Sequence, residues 1–323
     1  MKRFDVDQLV LAPLKTRAHD LDLTVMLPLQ NAHMVHVNIQ NVARKIVDAR
    51  NRQASVIMMI GAHVIRSGVQ RYIIDLMKRG YISCISFNGA GVIHDFEFAL
   101  IGATTESVAR YIKDGRFGFW QETGRINDIV NEGSRAGKGL GSAVGSAILK
   151  GEFPYKEISI LAHAIKYEIP VTVHVAVGQD IIHQLPNFSG AATGAASYRD
   201  FLTLADVIQN LENGVVMNFG SAVMAPEVFL KALSMARNIA RQSGKSISKF
   251  TTLVCDLHAL PEDYTAEAPK GSAAYYFRPW KTMLVRTVAD GGESFYVQGP
   301  HRETVPALWT ALVKPDDQET LPR

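Results

Sequence analysis

The sequence predicts a doubly wound α/β domain with a mostly parallel sheet in three layers, and three observations carry that expectation. Short apolar, partly β-branched runs stop in glycine turns and restart as helices twice in succession, Ser55–Ile60 into Gly61–Gly68 and Tyr81–Ile85 into Ser86–Gly91. That unit recurs at about the length a right-handed crossover between parallel strands requires. Val171–Val177 is apolar apart from Thr172 and His174, which reads as an interior parallel strand covered on both faces. The composition agrees: of 323 residues 47% are hydrophobic and 20% charged, enough apolar surface for a large core.

Residues 1–35 mix apolar and charged positions around Pro13 and Pro28 and read as an N-terminal arm. Residues 36–313 read as a single α/β domain, and the polar residues 314–323 as a frayed tail. Val37–Arg52 has Ile39, Val42, Ala43 and Ile46 at helical spacing. Val69–Lys78 is an amphipathic helix stopped by Gly80, and Val92–Ile101 a helix ended by Gly102. A capped short helix is expected from Thr104 to Lys113, and a long helical stretch broken by glycines over Glu122–Lys150. Its GKGLGSAVGSA segment lacks both a preceding strand and the Gly-Lys-Ser/Thr of a phosphate loop, so its small residues are expected to pack helix on helix.

Further helices are expected at Glu157–Tyr167, Tyr198–Leu211, Pro226–Arg241 and Thr304–Val313, and strands at Gly214–Asn218 and Phe250–Cys255. After the long loop Asp256–Ser272, the pieces Tyr275–Lys281, Thr282–Val288 and Ser294–Val297 read as extended. Strand ends at 60, 87, 177, 218 and 255 should then converge on one edge, outside which ligands bind in such sheets.

Charge and cysteine usage narrow the function. The net charge of +3 comes from 34 basic and 31 acidic residues with no Lys/Arg block, which argues against nucleic acid and membrane surfaces and for a small-molecule partner. Cys84 and Cys255 lie in apolar runs far apart, as suits a reducing cytoplasm. Neither a signal peptide nor an 18-residue apolar span is visible, so a cytoplasmic location is expected.

The turn Asn88-Gly89-Ala90-Gly91 brings bare backbone N–H groups to a helix N-terminus, where phosphate binds. Its spacing to His94 lacks the third glycine of the usual dinucleotide fingerprint, so a plain tight bend is an equal reading. Asp95 could cap the helix or hold a ribose hydroxyl. His174, Asp180 and His183 cluster near one strand end without metal-ligand spacing, and no metal is expected.

Taken in colinear order, GAHVIRSGVQRYIIDLMKRG, FNGAGVIHDFEFALIG, IPVTVHVAVGQDII, GVVMNFGSAVMAPEVFLKAL and FRPWK resemble the deoxyhypusine synthase family, in its bacterial deoxyhypusine synthase-like branch, over roughly residues 35–310. The resemblance implies a Rossmann-like NAD-binding fold and a homotetramer with sites at subunit interfaces. It also implies chemistry that takes a hydride from a polyamine and passes an aminobutyl group through an imine on an enzyme lysine.

Residue by residue, the family's first cofactor turn falls on Gly61, Ala62, His63 and Ser67, of which the serine is kept. The second falls on Asn88, Gly89, Ala90, Gly91 and Val92, with Asp95 the one retained acid of three. Asp180 stands in a context like the family's Gly-Asp-Met-Ile and would anchor a substrate amine, with His94 also on the substrate side. Trp280-Lys281 matches the family's Trp-Gly-Lys with one residue deleted. Lys281 would be the imine-forming nucleophile and Trp280 a platform for a ligand cation. The alternative is an exposed lysine beside a packing tryptophan.

The family's catalytic histidine falls on Ala225, its acidic Asp-Gly-Ser loop has no counterpart, and its late cofactor aspartate lands near Gln298. The resemblance therefore implies a NAD-dependent transferase acting on a polyamine or related amine. The alternative is a nucleotide- or small-molecule-binding protein on the same scaffold that has lost synthase activity.

Overall fold

The computed structural model describes residues 4–313, so the expected tail at 314–323 lies outside the described residues. Six parallel strands form the main sheet: β1 (Val56–Ile60), β2 (Cys84–Asn88), β3 (Val171–His174), β4 (Val215–Phe219), β5 (Thr251–Asp256) and β6 (Glu293–Gln298). Their spatial order is β3-β2-β1-β4-β5-β6, and registers such as Met58↔Ile85 and Met58↔Met217 make β1 the strand from which the chain winds both ways. The doubly wound, Rossmann-like reading of the sequence is what the structure has.

Helices cover both faces: α1 (Val37–Asn51), α2 (Ala62–Arg66), α3 (Gln70–Lys78), α4 (Gly89–Ile101), α5 (Val108–Tyr111), α6 (Gln121–Arg135), α7 (Leu140–Lys150), α8 (Ile160–Lys166), α9 (Gly190–Ile208), α10 (Met224–Gln242) and α11 (His301–Leu312). Alternate strand residues feed two cores. Met58, Ile85, Phe87 and Met217 pack with α1, α3, α4 and α11, while Ile57, Met59, Val216 and Val254 pack with α9 and α10. Period-2 alternation between two apolar layers explains why the strands read as continuous hydrophobic runs.

Several expectations are corrected. Val171–Val177 was expected to be an interior strand, but β3 lies at the edge of the sheet and ends at His174. It is apolar because α7 and α9 cover it, and its outward backbone groups are not left bare. Val173 N–H donates to Asp200 Oδ2 at 2.9 Å, and Ser197 Oγ donates to Val173 O at 2.8 Å. The stretch Glu122–Lys150 is two helices, broken where Gly137 takes φ +74°. Ser107, not Thr104, caps the short helix α5, and Thr104 pairs instead with Leu21 in a two-residue antiparallel ladder.

Tyr275–Val288 is not extended. Ala273–Tyr276 forms a 3-10 turn and Pro279–Arg286 a π-helix, opened by Pro279 and carrying Trp280, Met283 and Leu284 inward at helical spacing. Packing on β5 overrides the β-propensity of the aromatic and β-branched residues there. Within the arm, Leu14 and Arg17 are buried and short 3-10 turns run over Val6–Gln8, Leu14–Thr16 and Leu23–Val25.

Candidate functional site

All six strands open at their carboxyl ends on one edge, and the winding direction reverses between β1 and β4, the place where such sheets bind ligands. There the two strand exits touch. Gly61 N–H donates to Phe219 O at 2.9 Å, and a Cβ on Gly61 would fall 2.3 Å from Gly220 O. Gly220 has φ +64° and faces the buried His301 at the start of α11. The Asn218 side chain holds the β4 exit, its Nδ2–H donating to Ser221 O at 2.9 Å and its Oδ1 accepting from Ser221 N–H at 3.1 Å. The N–H groups of Ala222 and Val223, just before α10, donate to nothing among the described residues.

Beside this crevice, between α4 and the segment after β3, lies a cavity of about 210 Å³. Three carboxylates line it, Glu97, Glu106 and Asp180, with Ile93, Val108, Phe117 and Ile181 as apolar walls. Ala90, Ile93, His94 and Glu97 reach it because α4 presents positions i, i+3, i+4 and i+7 on one face.

Glu97 is fully satisfied. Arg17 binds it with two bonds of 2.9 and 2.7 Å, and Thr123 and Thr104 donate at 2.6 and 2.7 Å. Burial alone would raise this carboxyl, but the guanidinium and the hydroxyls outweigh it and hold it below its ordinary value. Since Thr104 spends its proton on Glu97, His94 Nδ1 must be the donor in its 2.8 Å contact with Thr104. Burial holds His94 down at about 4, so it is a neutral imidazole whose Nε2 is an acceptor.

Among the described residues no Lys or Arg pairs with Glu106 or Asp180. Glu106 Oε1 accepts from Gly118 N–H and Trp120 Nε1–H, while its Oε2 is buried without a partner among the described residues. Burial raises Glu106, and pushes Asp180 up to about 6. Thr105, β-branched yet at φ +66°, also presents a buried hydroxyl with no partner among the described residues. A strained backbone residue therefore stands beside unpaired buried polar atoms on this cavity wall, which makes it the candidate site. Sequence reading passed over Arg17, Glu97, Thr105 and Glu106, which carry no motif and meet only through the fold.

The glycine turns turn out to serve packing. Gly89 exists for Asp180, since a Cβ there would fall 1.9 Å from Asp180 Oδ2. Asn88 caps α4 by accepting from Gly91 N–H at 3.0 Å, and Gly91 packs tightly on Phe87. Ser67 Oγ donates to His63 O at 2.7 Å, ending α2, while His63 itself is exposed. Asp95 is turned away from the edge. Its buried carboxylate accepts from Ser159 Oγ and the N–H groups of Ile160 and Leu161, capping α8 rather than its own helix or a ribose.

His63, His94, Gly89, Ala90 and Asp180 are thus neighbours around β1, β2 and β3, but Trp280 and Lys281 are not with them. They follow β5, three strand spacings from β2, or about 14 Å across the sheet. Lys281 is buried rather than solvent-facing, with Nζ 4.1 Å from the Tyr275 ring centroid. Trp280 offers no open face, being packed in the α9–α10 layer with its indole N–H on Tyr264 O. Tyr275 takes the place expected for it.

Among the described residues no cluster of three or more His, Cys, Asp or Glu could hold a metal, and no helix is long and apolar enough to cross a membrane.

Comparison with known proteins agrees with this fold. The family model for the C-terminal, Rossmann-fold domain of arginine dihydrolase ArgZ-like proteins matches residues 40–183. No curated protein matches the chain by sequence. Among solved structures, a putative LOR/SDH protein of Methanococcus maripaludis S2 is 14% identical with a TM-score of 0.52, over 89% of this chain and 70% of that one. The apo arginine dihydrolase ArgZ of the cyanobacterial ornithine-ammonia cycle is 15% identical with a TM-score of 0.51, over 86% of this chain. The chain spans about a third of the length of ArgZ. A putative deoxyhypusine synthase from Entamoeba histolytica is 10% identical with a TM-score of 0.46, over 85% of this chain and 86% of that one.

Proposed function

We propose that this chain is a NAD-dependent enzyme acting on a polyamine or related amine whose ammonium group is held in the acid-lined cavity. The observation that carries the reading is the charge balance there: Arg17 is spent on Glu97, leaving Glu106 Oε2 and Asp180 in an apolar enclosure without a cation. A ligand ammonium supplies that charge, and Phe117 and Ile93 suit an aliphatic chain beyond it.

The dinucleotide fits the neighbouring switch point. The N–H groups of Ala222 and Val223, without acceptors among the described residues, support phosphate binding there, beside the close packing of Gly61 on Gly220. NAD, when bound, would supply the hydride acceptor for oxidation of the carbon bearing the amine. This chain's part is to hold that amine, to take its proton on a group such as Asp180 or His94, and to exclude water from the cavity.

Transfer of an alkylamine group through an imine on Lys281 is a second reading, favoured by the burial of Lys281 over Tyr275. Since Lys281 stands outside the acid cavity, it requires a site completed across a subunit boundary, as a homotetramer would provide.

Incubation with NAD and a panel of diamines, polyamines and basic amino acids, followed by NADH absorbance, tests the first reading, and borohydride trapping with peptide mass spectrometry tests the second. NADH formed only with amines, and lost in Asp180→Asn, is expected. Tight NAD binding without turnover of any amine would leave a binding protein on this scaffold instead.

A further inference from the structure

The turn that carries Asp180 contains a second titratable group, His183, whose Nδ1 serves the turn while its Nε2 serves no contact of the fold among the described residues. His183 is buried against Phe188, ring centroids 4.7 Å apart, and its Nδ1 accepts two backbone N–H groups, those of Gly178 at 3.1 Å and Asp180 at 3.2 Å. Two donors aimed at Nδ1 exclude a proton there, so the ring's single proton is on Nε2. That N–H is buried and has no hydrogen-bond partner among the described residues; Asp180 Oδ2 lies 3.7 Å away, just outside bonding reach. Burial lowers His183, which keeps the ring neutral and the Nε2–H in place. A backbone that fixes the tautomer of a buried imidazole towards a carboxylate is an orienting arrangement, and such contacts commonly tighten only when ligand is bound.

We propose that His183 is a positioning residue which, through Nε2–H, holds Asp180 ionised and aimed into the cavity, so that Asp180 is the group that accepts the substrate's ammonium proton. This rests on the amine reading of the cavity. In the step, one N–H bond of the ammonium breaks, an O–H bond forms on Asp180, and the electron pair stays on nitrogen as a neutral amine. The other charged or titratable groups facing Asp180 are His94 and Glu97 from α4, Glu106 from the segment before α5, and Arg17 from the arm. Arg17 is already paired with Glu97, so His183 and the N-terminus of α4, against which Asp180 packs at Gly89, are left to favour the carboxylate form before substrate arrives.

Two conservative variants separate this role from a merely structural one. In His183→Asn the amide oxygen replaces Nδ1 as acceptor of the turn's N–H groups but nothing reaches Asp180. In His183→Gln the amide nitrogen replaces Nε2–H but the turn loses its acceptor.

The titration of Asp180 is followed by 13C NMR of carboxyl-labelled aspartate, its signal assigned by Asp180→Asn. The wild type should titrate near 6, His183→Gln alongside it, and His183→Asn about one pH unit higher, a tenfold change in the ionisation constant. Equal midpoints for His183→Asn and the wild type, or for His183→Asn and His183→Gln, overturn the role of His183. Adding 1,4-diaminobutane should lower the wild-type midpoint. An unmoved midpoint overturns the ammonium as proton source and the amine reading with it, whatever the variants show.

Discussion

Gly89→Ala is the substitution whose outcome the geometry fixes most tightly. A methyl group at 89 would fall 1.9 Å from Asp180 Oδ2 and 2.7 Å from its Cγ, so the carboxylate must leave its place. Gly89 is the first residue of α4 and its φ is not in the left-handed region, so alanine costs no backbone strain there. Removing glycine from a helix is by itself favourable by about 0.5–1 kcal/mol. Overpacking against a buried group costs about 1–3 kcal/mol.

The single variant should therefore be destabilised or near neutral. In an Asp180→Ala background, where the clash is gone, Gly89→Ala should stabilise by about 0.5–1 kcal/mol. The coupling energy from the double-mutant cycle is then about 1–3 kcal/mol, read by urea denaturation of the four proteins. Amine affinity should fall at least tenfold in Gly89→Ala, about 1.4 kcal/mol. Equal effects of Gly89→Ala in both backgrounds would refute the claim that this glycine makes room for Asp180.

Arg17→Met should cost about 3–5 kcal/mol in chemical denaturation by stranding buried Glu97, with much of it regained in Arg17→Met/Glu97→Met. Burial holds His174 at about 4 against an ordinary 6.5, with Thr172 Oγ1 3.0 Å from its Nε2. The unfolded chain therefore binds the extra proton between those values. His174 contributes up to about 3 kcal/mol of stability above pH 6.5, lost as pH falls to 4, and His174→Asn should remove that part of the slope when melting is compared across this window. Lys281→Met should leave NADH formation from amines intact while abolishing any borohydride-trapped adduct, and Lys281→Arg should fail the trapping equally. Loss of NADH formation in both would place Lys281 in the oxidation step.

The sheet was legible because its signal is local: an apolar run, a glycine exit and a helix occur within thirty residues, and Gly102 ends α4 at φ +67° as its position suggests. What the sequence did not show depends on distant partners. β3 looks interior because α7 and α9 hide its edge, and nothing within Val171–Val177 records that cover. Pro279–Arg286 looks extended by composition, yet it is helical because its inward spacing meets β5.

At the site, Asp180, His94 and Gly89 were visible, but the purpose of Gly89 was not. Its partner lies ninety-one positions later, and a glycine-rich helix start reads as a phosphate turn until the carboxylate above it is seen. Glu106 and Arg17 could not be singled out, since a lone acid before a short helix and a lone arginine in an arm look like surface charge.

The central claim, an ammonium held by Asp180 and Glu106 in a chain that also binds NAD, is tested most directly by isothermal titration of 1,4-diaminobutane into the NAD-loaded protein, with 1,4-butanediol as the uncharged analogue. The account predicts binding of the diamine and none of the diol, and at least a tenfold loss of diamine affinity in Glu106→Gln/Asp180→Asn with NAD affinity unchanged. Equal binding of both ligands, or a diamine affinity untouched by neutralising both carboxylates, would contradict it.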